Sequence, residues 1–433
     1  MMKPGKNQRV KVDRVLAPVG KLVTLSEKFS GDENTLGILA KAAVLIKDES
    51  ILWVGKEDDV PPEFDLSESD IQGLSGETVL PGFIDSHTHL VFAGSRADEF
   101  DMRVQGMSYL EILSRGGGIH ATVRAVKEAS FDELYDLGMR RLDYLMAEGV
   151  TTVEAKSGYG LTVEGERRIL EVIQALNRDH SVEVVPTFLG AHTIPEAYRA
   201  NPQEYVNLVI NEMLPGVAEE GLAEFCDVFC EEGAFDVEAS RRILLSAREK
   251  GLKLKIHADQ LSASGGGSLA AELEATSAGH LEYLPEEIIP ALKESGTVAV
   301  LLPAAALYLM MEKAPPVEFL LSHKVPVAIA TDFNPGSAPC LSLLTVMTLA
   351  ATMYRMKTDD VLRGVTVHAA RAVGRERKIG RIEQGFQADL SVFPVKDYRI
   401  ILTSFGSVMP QRVMKKGRWV TLSSPCSPTM TAL

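Results

Sequence analysis

An α/β chain built on a (β/α)8 barrel of the TIM type is predicted by three observations. Eight apolar runs of strand length occupy the middle of the sequence, helical patterns separate most of them, and both chain ends are β-rich instead. Strands alternating with helices imply parallel βαβ units. Eight such units over about 300 residues fit a closed barrel.

At the start, Ala43–Ile46 and Ile51–Gly55 flank Lys47-Asp48-Glu49-Ser50, which reads as a turn. The run Val79–Ile84, broken by Pro81-Gly82, leads into the first barrel strand. Phe131–Ala147 has helical spacing, with Leu134, Leu137, Leu142 and Leu145 on one face and Gly149 as its stop. Val150–Ala155 is the next strand, Val163–Arg178 the next helix, and Val182–Leu189 a strand. Ala223–Phe229 follows a further helical stretch, and Val237–Lys250 is a helix closed by Gly251. The strands Lys253–Ala258, Ala278–Leu281, Thr297–Leu302 and Val327–Thr331 complete the eight. β-type runs return at Ala388–Phe393 and from Gln411 to Val420, and 423–433 is predicted to be a disordered tail.

The competing architecture is an open doubly wound sheet, marked by a G-x-G-x-x-G turn after its first strand. Gly116-Gly117-Gly118 and Gly265-Gly266-Gly267 are not that motif and are expected to be flexible loops on the active face, or plain turns.

Composition narrows the function. A length of 433 residues suits one large domain plus a smaller one, and 45% hydrophobic with 24% charged residues is ordinary for a globular chain. A net charge of -14 repels phosphate backbones, so no nucleic acid is expected. The four cysteines show no disulfide framework, and Cys226 and Cys230 read as buried thiols of a strand. The longest apolar run, Val298–Met311, contains Pro303 and falls short of a membrane span. With no signal segment recognised at the start, a cytoplasmic location is expected.

The sharpest chemical signal is Pro81-Gly82-Phe83-Ile84-Asp85-Ser86-His87-Thr88-His89. Side chains two apart on a strand share a face, so His87 and His89 can aim two imidazoles at one ion. His192, His257, His280 and Asp332 also fall at the ends of barrel strands, the rim where barrel enzymes do their chemistry. Of the other histidines, His120 is a candidate border of the site, His180 and His323 are expected at the surface, and His368 near a helix start. A metal held by His87, His89, His257 and Asp332 leaves the site net positive. It can bring the pKa of a water toward ~7 and polarise a carbonyl, as amide hydrolysis requires. Asp332 can take the water's proton, with His280 placed to orient the water or share that proton.

These residues resemble the amidohydrolase superfamily and, within it, the imidazolonepropionase family. The likeness runs from about residue 37 to 420: HTHLVFAGSRADE at His87–Glu99, GGGIH at Gly116–His120, EAKSGYGL at Glu154–Leu161, Gly190-Ala191-His192, His257-Ala258-Asp259 and TDFNPG at Thr331–Gly336. It implies a cyclic amidohydrolase that opens 4-imidazolone-5-propanoate to N-formimidoyl-L-glutamate by attack of a cation-activated water on the ring carbonyl. It implies one divalent or trivalent ion per chain, zinc or iron, and a homodimer. Its small β-sandwich domain joins both chain ends, giving segments 1–80 and 381–422 around a barrel at 81–380.

Residue by residue, the resemblance carries the metal ligands to His87, His89, His257 and Asp332. Arg96 would grip the propanoate. Tyr159, His192, Asn334, Gly336 and Ser337 would contact the ligand, and Tyr109 is a further candidate for the pocket wall. Gln260 stands where some members carry Glu. An amide cannot titrate, so Asp332 and His280 take more of the base role, and Gln260 is left to hydrogen-bond the ring. Lys156, which in some relatives would bridge two metals, is expected to be structural here. The rival readings are another activity of the superfamily, such as a deaminase, and a non-catalytic barrel protein.

Overall fold

The computed structural model describes residues 9–107, 111 and 117–422. Tyr109, Gly116 and the tail 423–433 lie outside the described residues.

Eight strands form one sheet in sequential order: Phe83–Thr88, Val150–Lys156, Glu183–Ala191, Phe225–Cys230, Lys253–Ala258, Ser277–His280, Val298–Leu301 and Val327–Ile329. Every neighbouring pair is parallel. The first and last strands meet through the residues that follow the eighth: Asp332 N donates to His87 O at 3.0 Å and His89 N to Phe333 O at 2.9 Å. Asp85 seals the same seam, its carboxylate accepting from Thr331 N (3.1 Å) and Thr331 Oγ1 (2.6 Å). The predicted barrel is therefore present.

The helices between the strands follow the apolar spacing. Phe131–Ala147 buries Leu134, Leu137, Leu142 and Leu145, and Ser130 caps it by accepting from Glu133 N at 3.1 Å. Val163–Asp179 and Val237–Glu249 are capped in the same way by Thr162 and Asp236. Their buried faces join the barrel strands in one continuous core.

The chain ends build a second sheet of seven strands. Its order is Arg418–Val420, Arg412–Lys415, Leu390–Phe393, Asp70–Pro81, Arg14–Val23, Ile38–Lys47 and Ser50–Lys56. N-terminal and C-terminal segments join where Leu390–Phe393 runs antiparallel to Asp70–Pro81. Alternate residues pack opposite faces: Ala42, Val44 and Ile46 belong to one apolar cluster, while Leu45 packs with Val12 and Val15 in another. A parallel pair, Val10–Lys11 with Phe64–Asp65, adds a short ribbon.

The break at Pro81-Gly82 divides the run Val79–Ile84 between the two sheets. Val79 and Leu80 end the small sheet, and Phe83 starts the barrel. Gly82 is needed at that junction, because a Cβ there would fall 2.4 Å from Thr151 Cγ2. Gly265–Gly267 is no flexible loop. Asp259 accepts from the amides of Gly265 (2.9 Å), Gly266 (3.2 Å) and Gly267 (2.9 Å) and fastens the start of the helix Gly266–Glu272. Among the described residues no helix is long and apolar enough to cross a membrane.

Candidate active site

Parallel strand order puts the C-terminal ends of all eight strands on one rim. His87 lies near the end of the first strand and His89 just past it, His257 near the end of the fifth, His280 at the end of the sixth, and Asp332 just past the eighth. His87 Nε2 stands 3.1 Å from His257 Nε2, and His257 Nε2 stands 3.4 Å from His89 Nε2. Asp332 Oδ1 is 3.4 Å from Nε2 of both His87 and His89. Four ligand atoms at about 2.0–2.1 Å from one ion lie at tetrahedron edges of about 3.3–3.4 Å. The four separations given, 3.1–3.4 Å, are close to that spacing, and among the described residues His87, His89 and Asp332, and likewise His87, His257 and His280, bring their ligand atoms within 4.8 Å of one another.

Their chemistry matches as well. All four side chains are buried. Burial first, then the nearby Lys156 ammonium for His87 and His257 for His89, hold both imidazoles well below the usual histidine range, so they are neutral lone-pair donors. Asp332 Oδ1 has no hydrogen-bond partner among the described residues. Neutral imidazoles and an unpaired carboxylate oxygen converging at contact distance are stabilised by a cation at their centre, so the residues present fit a metal ion. The backbone at Asp332 is held at φ 54°, a left-handed conformation unusual for a non-glycine residue.

A second set of charged groups stands behind these side chains. His257 Nδ1 lies 3.1 Å from Asp227 Oδ1. The other Asp227 oxygen accepts from Lys156 Nζ at 2.7 Å, and Lys156 donates to Glu154 at 2.6 Å. Burial would raise Asp227, but His257 and Lys156 outweigh it and hold its carboxyl far below the usual range. Lys156 is fully committed to these two carboxylates, in keeping with the structural role expected of it. Lys255 donates to Ala372 O at 2.8 Å beside Glu154, and burial brings it down to about 8.

The remaining residues form walls. The His192 ring stacks on His89, with centroids 5.0 Å apart and planes 15° from parallel. Its Nδ1 lies 3.0 Å from Gly158 O, which leaves Nε2 to act as an acceptor. The Tyr159 ring is 5.5 Å from His192 and 5.8 Å from His89. Glu166 secures the loop that carries it by accepting from Gly158 N, Gly160 N and Leu161 N at 2.8–2.9 Å. The His280 ring is 5.3 Å from His257 and 5.7 Å from His87, and burial drives it down to about 3. Gln260 is buried between the Asp259 turn and Glu231, which accepts from Leu261 N at 2.8 Å.

Arg96 Nη2 donates to Glu99 at 2.7 Å, and the other Glu99 oxygen accepts from Gly118 N at 2.9 Å. Gly336 lies directly against the guanidinium, where a Cβ would come within 1.8 Å of Arg96 Nη1. Asn334 spends its amide inside its own loop: Oδ1 accepts from Gly336 N and Ser337 N, both at 2.8 Å, and Nδ2 donates to Asp332 O at 2.6 Å and Ser337 Oγ at 2.9 Å. Asn334 thus shapes the turn beside Asp332. His120 is half-buried near the start of the helix Ile119–Glu128, and Arg199, Glu196 and Arg124 are among the charges that act on it. His180 is more enclosed than a surface residue, with its ring 9% exposed and 3.3 Å from Asp143.

Sequence reasoning passed over Asp85, Asp227, Glu231, Glu282 and Arg141. Asp227 had a readable signal, as an acid inside the apolar run Phe225–Cys230. Arg141 had none: helical spacing does not reveal that its guanidinium donates to Leu90 O (2.7 Å) and Phe92 O (2.9 Å), holding the stretch just after His89.

Comparison with known proteins agrees with this geometry. The model of the amidohydrolase family matches residues 78–420. An imidazolonepropionase of Shewanella frigidimarina is 45% identical over 390 residues, covering 90% of this chain and 95% of its own. One of Shewanella sediminis is 47% identical over 384 residues, covering 89% and 94%. Among solved structures, an adenosine deaminase from Xanthomonas campestris with bound zinc aligns with a TM-score of 0.69 at 18% identity, over 95% of this chain and 93% of that one. An atrazine chlorohydrolase from Arthrobacter aurescens complexed with zinc gives 0.66 at 17%, over 94% and 95%. At those identities the two structures speak for the fold alone.

Proposed function

The chain belongs to the amidohydrolase family and, within it, to the imidazolonepropionases, and from that premise we propose how its residues hydrolyse 4-imidazolone-5-propanoate to N-formimidoyl-L-glutamate in histidine degradation. His87, His89, His257 and Asp332 hold one ion per chain, zinc or iron, since three imidazoles and a carboxylate suit both. Bound there, the cation supplies Lewis acidity, polarising the ring carbonyl and acidifying the attacking water.

The chain's own groups do the rest. Arg96 binds the propanoate carboxylate by charge-assisted hydrogen bonds. Its Nε has no partner among the described residues, which leaves a donor for that carboxylate. His192 and Tyr159 enclose the ring, and Gln260 hydrogen-bonds it without titrating. Asn334, Gly336 and Ser337 shape the turn that backs Arg96. Asp332 accepts the proton of the attacking water, and His280 orients that water or shares the proton. As the ring C–N bond breaks, that proton passes to the departing nitrogen.

The convergence of His87, His89, His257 and Asp332, with neighbouring donors 3.1–3.4 Å apart, carries this reading. Segments 1–80 and 381–422 are read as one small domain and 81–380 as the catalytic one. A homodimer follows from the family resemblance. A cytoplasmic setting is supported by the free thiols of Cys226 and Cys230.

The test is an ultraviolet assay that follows loss of freshly made substrate, paired with metal analysis of the purified protein. Turnover should vanish on chelation and return with added zinc or iron. Undiminished turnover by metal-free protein would end the reading. Ammonia release from an aminated ring, without consumption of imidazolonepropanoate, would replace it with a deaminase.

A further inference from the structure

At His280, three buried polar groups have no hydrogen-bond partner among the described residues: His280 Nδ1, both carboxylate oxygens of Glu282, and the Tyr354 hydroxyl. His280 and Glu282 are 2% and 3% exposed. Each unpaired buried group costs about 1–3 kcal/mol, so a cluster of them calls for an explanation. Two of the three face each other, with His280 Nδ1 4.0 Å from Glu282 Oε2, just outside hydrogen-bond reach. In an extended strand residues two apart are separated by roughly 6.6 Å. Here His280 (φ 76°) and Leu281 (φ 73°) take left-handed backbone, which turns the chain so that Glu282 comes back toward the ring. Non-glycine residues keep such conformations only where the surroundings enforce them.

We propose that Glu282 is the positioning residue of His280: its carboxylate accepts Nδ1–H, through a small side-chain rotation that closes the gap, and so presents an unprotonated Nε2 to the reacting water. This rests on the proton-handling role given to His280 above. A hydrogen bond at one ring nitrogen fixes which nitrogen carries the proton. Burial lifts the Glu282 carboxyl to about 8, with Asp332 and Glu231 adding to it, and a bond from Nδ1–H is the interaction that favours its ionised form. When water is deprotonated, its O–H bond breaks as Nε2–H forms. The positive charge appearing on the ring then lies against the Glu282 carboxylate. Tyr354 is near enough to feel that carboxylate's charge.

The experiment compares Glu282→Leu, Glu282→Gln and His280→Gln, each loaded with zinc and checked for metal content. Glu282→Leu should lower kcat about 30- to 100-fold with KM within about twofold, the size of a misplaced general base. Glu282→Gln, whose amide oxygen can accept the same bond, should recover to within about fivefold of the parent. Parental kcat in Glu282→Leu, or equal losses in both Glu282 variants, would overturn the proposal. Parental turnover in His280→Gln would instead remove the role assumed for His280. A second readout covers a Glu282→Leu variant that does not fold. In the native zinc enzyme labelled with 15N-histidine, the His280 resonance, identified by its loss in His280→Gln, should report a proton on Nδ1. A proton on Nε2 would overturn the proposal.

Discussion

Asp227 touches no substrate in the reading above, yet its replacement by Ala should loosen the metal. The carboxylate joins His257 Nδ1 at 3.1 Å to Lys156 Nζ at 2.7 Å, so its removal has two consequences. His257 loses the partner that holds its ring and tautomer, a change that lowers metal affinity by about 10–100-fold. That range corresponds to about 1.4–2.7 kcal/mol. Lys156 is left buried with Glu154 as its remaining ion-pair partner, and breaking a buried pair costs about 3–5 kcal/mol of stability. The two effects separate in the double variant Asp227→Ala/Lys156→Met. It removes the stranded ammonium and should regain part of the stability, while the loss of affinity stays. Chelator competition measures affinity, and urea unfolding of metal-loaded protein measures stability. Zinc affinity of Asp227→Ala within about twofold of the parent would refute the idea that this layer orients His257.

Three further outcomes are expected. Asp332→Ala should abolish turnover in the ultraviolet assay, because the proposed scheme makes Asp332 both metal ligand and proton acceptor; full activity would reject the scheme. Gly336→Ala should raise KM about 10–100-fold with metal content unchanged, since its methyl group would collide with Arg96 and displace charge-assisted bonds worth about 1.5–3 kcal/mol. Burial raises Glu148, remote from the metal ligands, to about 7, so between its unfolded value near 4.3 and 7 the folded state binds more protons than the unfolded one. Its share of stability therefore falls as pH rises across that window, by a few kcal/mol at most, and Glu148→Gln should gain on the parent from pH 5 to pH 8 in urea unfolding.

The barrel was legible because its signal is repeated. Eight apolar runs and the helices between them each obey a local period, and errors at single boundaries leave the count intact. Pro81-Gly82 was readable as a break in the apolar run; that two strands of different sheets abut there with one residue between them was not, because local pattern does not name the sheet. At the site, the shared face of His87 and His89 was readable from spacing, and the gathering of His257, His280 and Asp332 on the same rim from their position at strand ends. Glu231 and Glu282 were not, because what each meets depends on the folded backbone: Leu261 N for Glu231 and, through two left-handed residues, the His280 ring for Glu282. Gly265–Gly267 shows the same limit, since only the hydrogen bonds of its amides to Asp259, six to eight residues upstream, distinguish a fastened turn from a loose one.

The pairing of Leu390–Phe393 with Asp70–Pro81 has a bearing on how the molecule comes into being. The early strand must wait for a partner about 300 residues downstream, and contacts so distant in sequence form slowly. During synthesis its edge stands open, a template for unwanted association with another copy. Slower elongation or crowding of nascent chains should therefore trouble this protein through its small sheet first, well before the barrel that carries the chemistry.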